Sequence, residues 1–214
     1  MVVAIDGPAG VGKSTVARLL AERLGFTYLD SGAMYRCLAL ATTEAGVSPD
    51  DSGAVTALAE GVSIEFRDGA VLLDGRDVSA EIRTPEVTEV ASRVSVHPET
   101  REVLVALQRS LLADGRFVAE GRDIGTVVSP DSPLKVFLTA SPEVRAARRA
   151  REMGLETETV LAEQEERDRR DQDRSHGALR LADDAITVDT TDLDLDQVID
   201  QLVSLAGERG LFAP

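Results

Sequence analysis

Val2 to Ile5 form an unbroken apolar run closed by Asp6, the pattern of a short strand buried on both faces. After a glycine-rich stretch, apolar residues recur at helical spacing through Val16, Leu19, Leu20 and Leu24 and stop at Gly25. That spacing predicts a helix from Lys13 to Leu24. Phe26 to Leu29 reads as a second strand, and Ala33 to Ala45 as a second helix closed by Gly46. Strand, helix, strand, helix in this order predicts an α/β fold, a doubly wound parallel sheet flanked by helices.

The middle of the chain departs from that rhythm. Val62 to Phe66 and Ala70 to Leu73 flank Arg67-Asp68-Gly69, and Asp-Gly between two such runs signals a hairpin. A small α+β unit inserted at about 62–98 is therefore expected. Pro98 to Leu112 returns to helix, and Arg116 to Ala119 and Leu134 to Thr139 read as core strands. Ser141 suits an N-cap, with Pro142 at the first helical position and Glu143 behind it. An Arg-rich helix to about Met153 follows, then a second charged helix from about Glu158 to Arg174. A last strand, Ala185 to Val188, and an amphipathic helix, Asp194 to Ala206, complete the chain.

Composition narrows the function. With 214 residues, 43% of them hydrophobic, the chain can bury a full core as one domain carrying a smaller insert. A net charge of −15 opposes binding to a nucleic acid polymer, and 3% aromatic residues without Trp leave few stacking platforms. Any phosphate binding must come from a local concentration of Arg. Lys occurs only at Lys13 and Lys135. The single Cys37 excludes an internal disulfide framework and suits a reducing compartment. No apolar run approaches the roughly 18 residues that span a bilayer, and no leader signal precedes Val2. These features predict a soluble cytoplasmic protein with no membrane partner.

Gly7-Pro8-Ala9-Gly10-Val11-Gly12-Lys13-Ser14 fits G-x-x-x-x-G-K-S/T, between a predicted strand and a predicted helix. In that setting glycines let backbone N–H groups wrap a phosphate, and the helix N-terminus adds partial positive charge. Lys13 would bridge β- and γ-phosphates, and Ser14 would offer its hydroxyl to Mg²⁺. The loop predicts a nucleoside triphosphate, here ATP, without naming the reaction. A guanine-specific GTPase would need an Asn-Lys-x-Asp motif, and the chain has no Asn. A small kinase remains.

Such a kinase must hold two anionic substrates together, a task for Arg, whose planar fork binds phosphate bidentately. Asp30 to Arg36 follows the second strand, at the carboxyl edge where open sheets bind ligands. It reads equally as an ordinary helix start capped by Ser31, with Arg36 solvated. Gly121-Arg122-Asp123-Ile124-Gly125 follows a core strand and projects from the same edge; the alternative is a turn ion pair of little consequence. In the run from Gln164 to Arg174, Arg167, Arg170, Asp171 and Arg174 share one helix face, while Arg169 and Asp173 project elsewhere. That face is either a phosphate clamp or a surface laced with ion pairs. Arg145, Arg148, Arg149 and Arg151 belong to a lid over the triphosphate or to a solvated helix. His97 and His176 are isolated, without metal-ligand spacing.

The blocks IDGPAGVGKST, LDSGAMYR, DVSAEIRTPEV, ASRVSVHPETR, EGRDIGTVVSPDSPLKVFL and ERDRRDQDR, in this order, resemble the bacterial cytidylate kinases from about Val2 to about Thr191. The resemblance implies a P-loop kinase core, a long insert in the monophosphate-binding region and a short lid at about 150–166. It implies ATP-dependent phosphorylation of CMP and dCMP, with these small molecules as the partners; a monomer is expected, although the sequence leaves the oligomeric state open. Gly7, Pro8, Ala9, Gly10, Val11, Gly12, Lys13, Ser14 and Thr15 match the ATP loop, with Ser14 toward Mg²⁺. Ser31 and Asp123 match residues facing the cytosine amino group, and Ser92 and Arg101 those facing its O2 and N3 edge. Arg36, Arg122 and Arg174 match the acceptor-phosphate clamp, and Arg167 and Asp171 the ribose and phosphate contacts. Lys13, Arg122 and Arg174 are the implied catalytic residues.

Overall fold

The computed structural model describes residues 1–67 and 69–212, apart from the side chain of Glu152. In chain order the elements are β1 (Val2–Asp6), α1 (Lys13–Leu24), β2 (Thr27–Asp30), α2 (Ser31–Glu44), α3 (Ser52–Gly61), β3 (Ile64–Arg67), β4 (Ala70–Leu73) and β5 (Arg76–Asp77). There follow α4 (Pro85–Val94), α5 (Pro98–Leu112), β6 (Phe117–Gly121), β7 (Leu134–Thr139), α6 (Pro142–Met153), α7 (Thr157–Asp173), β8 (Ile186–Asp189) and α8 (Leu195–Glu208). A single 3₁₀ turn covers Glu81–Arg83, and a π-helical turn covers Ile124–Val128.

The chain divides into two compact units, Met1–Leu29 with Leu112–Pro214, and Asp30–Leu111. The first is built on a five-stranded sheet in the order β2–β6–β1–β7–β8. The β1–β6, β1–β7 and β7–β8 pairings are parallel. All five residues of β1 are buried, as its unbroken apolar run requires of a central parallel strand. Val3, Ile5, Val118, Val136 and Leu138 from the sheet pack with Leu20 of α1 and Leu202 of α8 in one core. Chain order reverses at β1, whose neighbours are reached by separate crossovers, and that reversal marks the ligand edge of such a sheet. In register, Asp6 stands opposite Gly121 on one side and Phe137 on the other. The strand ends are thus level, and the segments leaving β1 and β6 start side by side.

Helix ends follow the local chemistry. Gly25 closes α1 in the left-handed conformation. The Ser141 hydroxyl accepts from the Val144 N–H at 3.3 Å, with Pro142 at the first helical position, as the sequence indicates. The start of α2 differs from expectation: Asp30, not Ser31, is the cap, its Oδ1 accepting from the Ala33 N–H at 2.8 Å. The strand-end carboxylate reaches back to a free N–H at least as well as a hydroxyl does.

The second unit pairs β3–β4–β5 antiparallel beside α2, α3, α4 and α5. Met34, Leu38, Ile64, Leu73, Ile82, Val94 and Leu104 form its own core. The strands flanking the expected hairpin are present, with Arg67 opposite Ala70; Asp68 of that turn lies outside the described residues. Cys37 is buried here, and burial pushes its thiol up to about 12, so it is inert.

Candidate active site

The loop between β1 and α1 takes a shape that only glycine fits at two points. Gly7 leaves the strand at φ 154°, where a Cβ would stand 2.2 Å from the Leu138 carbonyl oxygen. Gly10 has φ 73°, and its Cβ would stand 2.2 Å from Gln164 Nε2. Lys13 opens α1 and folds back over the loop, its Nζ donating to the Pro8 carbonyl at 2.7 Å. Burial and the neighbouring Arg122 push the Lys13 ammonium down to about 7, against the pull of Glu120. Ser14 and Thr15 are exposed on the first turn.

Where β6 ends, Arg122 sends Nε to Asp171 Oδ2 at 2.7 Å. Arg174 donates to the other oxygen, Asp171 Oδ1. Arg122 therefore pairs across to α7. Burial alone would raise the Asp171 carboxyl, but Arg122, Arg174 and Arg167 together hold it below its ordinary value. One buried carboxylate thus organises three guanidinium groups, and the charge of two of them, Arg122 and Arg167, reaches Lys13. On α7, Asp171 is buried and Arg167 half-buried, whereas Arg169 and Asp173 are exposed, as helical spacing indicates. Arg170 lies 3.4 Å from Glu166. The helix ends at Asp173, so Arg174 reaches Asp171 from the first residue beyond it.

Asp6, at the end of β1, has a role the sequence reading missed. Its two oxygens accept from the Ile124 and Gly125 N–H groups at 2.9 and 2.8 Å. These open the π-helical turn that continues Arg122-Asp123, closed by the Ser129 N–H on the Ile124 carbonyl at 2.7 Å. Asp6 so ties the turn after β6 to the strand that precedes the glycine-rich loop. Burial raises its carboxyl from 3.8 to about 6, against those two N–H bonds.

In the second unit, Arg36 Nη2 holds Asp30 Oδ2 at 2.7 Å, and Arg83 reaches the same oxygen at 3.5 Å. Ser31 is buried in the first turn of α2 and Ser92 on α4. Arg101, only 3% exposed, donates to the Ser95 carbonyl at 3.2 Å and lies 5.2 Å from the Tyr35 ring centroid. The Ser95 hydroxyl donates in turn to the Ser92 carbonyl at 2.9 Å. Arg101, Ser92 and the Tyr35 face are thereby gathered in this unit. His97 Nε2 lies 2.8 Å from the Pro49 carbonyl, a structural contact. Lys135 spends its charge on Asp184 at 2.8 and 2.9 Å.

The chain as a whole has relatives among known proteins. Residues 3–208 match the family model described as cytidylate kinase. The chain belongs to the cytidylate kinase family. A cytidylate kinase of Corynebacterium glutamicum is 50% identical over 96% of this chain and 94% of its own. One from Carboxydothermus hydrogenoformans is 48% identical over 98% of both chains. Among solved structures, a shikimate kinase from Bacteroides thetaiotaomicron aligns with a TM-score of 0.51 at 11% identity, covering 97% of this chain and 98% of that one. A gluconokinase from Sinorhizobium meliloti aligns at 0.50 and 17%, covering 96% and 93%. These two likenesses concern the fold alone: helices on a parallel sheet, as the strand–helix alternation predicts.

For this cytidylate kinase family member, Asp6→Asn gives a readable outcome. An amide offers one acceptor and one donor pair to two N–H groups, so the turn carrying Arg122 and Asp123 loosens and turnover falls by about tenfold. Stability shows the pH signature. The folded protein keeps the Asp6 proton up to about pH 6, whereas the unfolded chain releases it near 3.8. The Asp6 contribution is therefore full below about pH 4, declines between about 4 and 6, and is flat above. Melting wild type and Asp6→Asn across that range checks this: wild type must lose ground relative to the variant as pH rises to about 6. Parallel curves contradict it.

Proposed function

We propose that this chain transfers the γ-phosphate of ATP to CMP or dCMP, giving CDP or dCDP. The observation that carries the proposal is the arginine cluster on Asp171 within electrostatic reach of Lys13, because transfer between two phosphate-bearing substrates needs their repulsion neutralised. Family membership supplies the acceptor class.

In this reading the loop from Gly7 to Thr15 holds the ATP phosphates, and Lys13 spreads charge from the transferred group. Arg36, Arg122 and Arg174 take the acceptor phosphate, exchanging Asp30 and Asp171 for it as counter-ion. Arg167 and Asp171 hold ribose and phosphate; Ser31 and Asp123 accept from the cytosine amino group, and Ser92 and Arg101 face its O2 and N3 edge. Buried polar groups of this kind discriminate strongly, since the wrong base leaves them unpaired. The segment at about 150–166 closes as a lid, excluding water, and the unit carrying β3, β4 and β5 serves the monophosphate. Ser14 presents an exposed, hard oxygen donor at the open N-terminus of α1, which fits Mg²⁺ held chiefly by substrate phosphates. Ser14, with the substrate phosphates, would hold the ion, which would supply charge neutralisation at the transferred group. Positioning and charge do the work, with no covalent enzyme intermediate. We take the working form to be a cytoplasmic monomer, which sedimentation reads out.

ADP release measured with ATP and each of CMP, dCMP, UMP, AMP and shikimate tests the acceptor. Turnover with CMP and dCMP must exceed the others by at least about tenfold; preference for UMP, AMP or shikimate overturns the cytosine reading.

A further inference from the structure

The buried stripe of α7 runs through Val160, Gln164, Asp168 and Asp171, spaced to lie along one face. Val160 packs on Ala146 and Ala150 of α6. Gln164 lies against Gly10, leaving no room for a side chain on that loop residue. Asp171 gathers Arg122 and Arg174. Between them Asp168, 7% exposed, makes contacts that the kinase chemistry described above does not use.

Asp168 Oδ1 accepts from the Ala9 N–H at 2.8 Å. Its other oxygen accepts from Arg145 Nη1 at 2.6 Å, and that same nitrogen donates to the Ala9 carbonyl at 2.8 Å. Arg145 Nε is fixed in turn on the Ala140 carbonyl at 3.2 Å. Both polar groups of one loop peptide residue are thus held in a closed ring by two buried, oppositely charged side chains. Ala9 precedes the residues whose N–H groups must converge on a phosphate, so fixing Ala9 fixes the direction in which they point.

We propose that Asp168 is a positioning residue which, with Arg145, latches the phosphate-binding loop to α7, so that the donor grip and the Asp171 arginine cluster are set as one body. Asp168 follows Arg167 directly and precedes Asp171 by one turn, so the latch lies at the base of the segment assigned as the lid. The inference rests on the kinase reading for its effect on turnover. Its effect on ATP binding is independent of which acceptor is used.

The test uses the full chain with Asp168→Asn, Arg145→Lys and the double variant. ATP affinity is measured by calorimetry with the non-hydrolysable β,γ-imido analogue without acceptor, and kcat and the CMP KM by ADP release. Freeing one ordered loop residue weakens analogue binding by about tenfold and lowers kcat by a similar factor. The KM for CMP should move less than about threefold. Arg145→Lys keeps the charge but not the full set of bonds, so its loss should be intermediate, and the double variant should lose no more than Asp168→Asn alone. If Asp168→Asn does not fold, Arg145→Lys alone decides by the same split between analogue affinity and CMP KM. Unchanged analogue affinity, equal rises for both substrates, or additive losses in the double variant overturn the latch. Failure of CMP as an acceptor, with the affinity pattern intact, counts against the functional reading and not against the latch.

Discussion

Replacing Lys13 by Met should abolish transfer without weakening the ligand-free protein. Loss of a preorganised charge aimed at the transition state costs about 10²–10³ in turnover, and the role proposed for buried Lys13 on the transferred group places it at or above the upper end. The folded protein holds Lys13 near 7, whereas an unfolded lysine keeps its proton to about 10.5. Between those values the unfolded chain binds more protons, so the Lys13 contribution to stability rises with pH, and at pH 7 and below its burial is a full penalty. Removing the charge lifts that penalty at the loss of one hydrogen bond to the Pro8 carbonyl. The ligand-free melting temperature of Lys13→Met is therefore expected at or above wild type, while the upward shift that ATP gives wild type shrinks. In wild type, ATP affinity should fall as pH rises above about 7, because a neutral Lys13 must regain its proton to hold the phosphates. Inactivity accompanied by a clearly lowered melting temperature would make Lys13 a structural residue instead.

The second large effect is expected at Asp123. Its carbonyl accepts from the Val127 and Val128 N–H groups at 2.8 and 3.1 Å, so the π-helical turn is held by backbone. Asp123→Ala should leave the turn in place while removing the carboxylate assigned to the cytosine amino group. The kcat/KM for CMP is expected to fall by about 10²-fold or more, and the CMP to UMP ratio to collapse toward one. ATP-analogue affinity should change less than about threefold. Equal losses for donor and acceptor would move Asp123 from base recognition to a general structural role.

How much of this was written legibly in the chain depends on what each element buries. The first unit was plain because its central strands are apolar on both faces and glycine punctuates each helix. Val2 to Ile5 and Leu134 to Thr139 were readable for that reason. The helix Ser52–Gly61 carries a weak signal: it is short and bracketed by glycines, though Asp51 caps it, accepting from the Ala54 N–H at 3.0 Å. The compact unit Asp30–Leu111 also extends beyond the stretch 62–98 on both sides, because α2 and α5 contribute Met34, Leu38 and Leu104 to the same core as β3 and β4. No periodic pattern announces the turn Ile124–Val128; its shape comes from Asp6, more than a hundred residues earlier in the chain.

The candidate site shows the same division. Helical spacing separated Arg167, Asp171 and Arg174 from the solvated Arg169 and Asp173. It equally offered Gln164 and Asp168, one stripe with Asp171, but surrounding charge masked them. Only the loop peptide at Ala9 reveals why an acidic side chain is buried there. Ion pairing by Arg145 was likewise invisible, since its partners lie on three separate segments.

A structure of the chain with CMP bound tests the acceptor site. The cytosine amino group is expected within hydrogen-bond distance of Asp123 and Ser31, Arg101 on the O2 and N3 edge, and the phosphate on Arg36, Arg122 and Arg174 in place of Asp30 and Asp171. A phosphate held away from those arginines, or a base that does not meet Asp123, would contradict it.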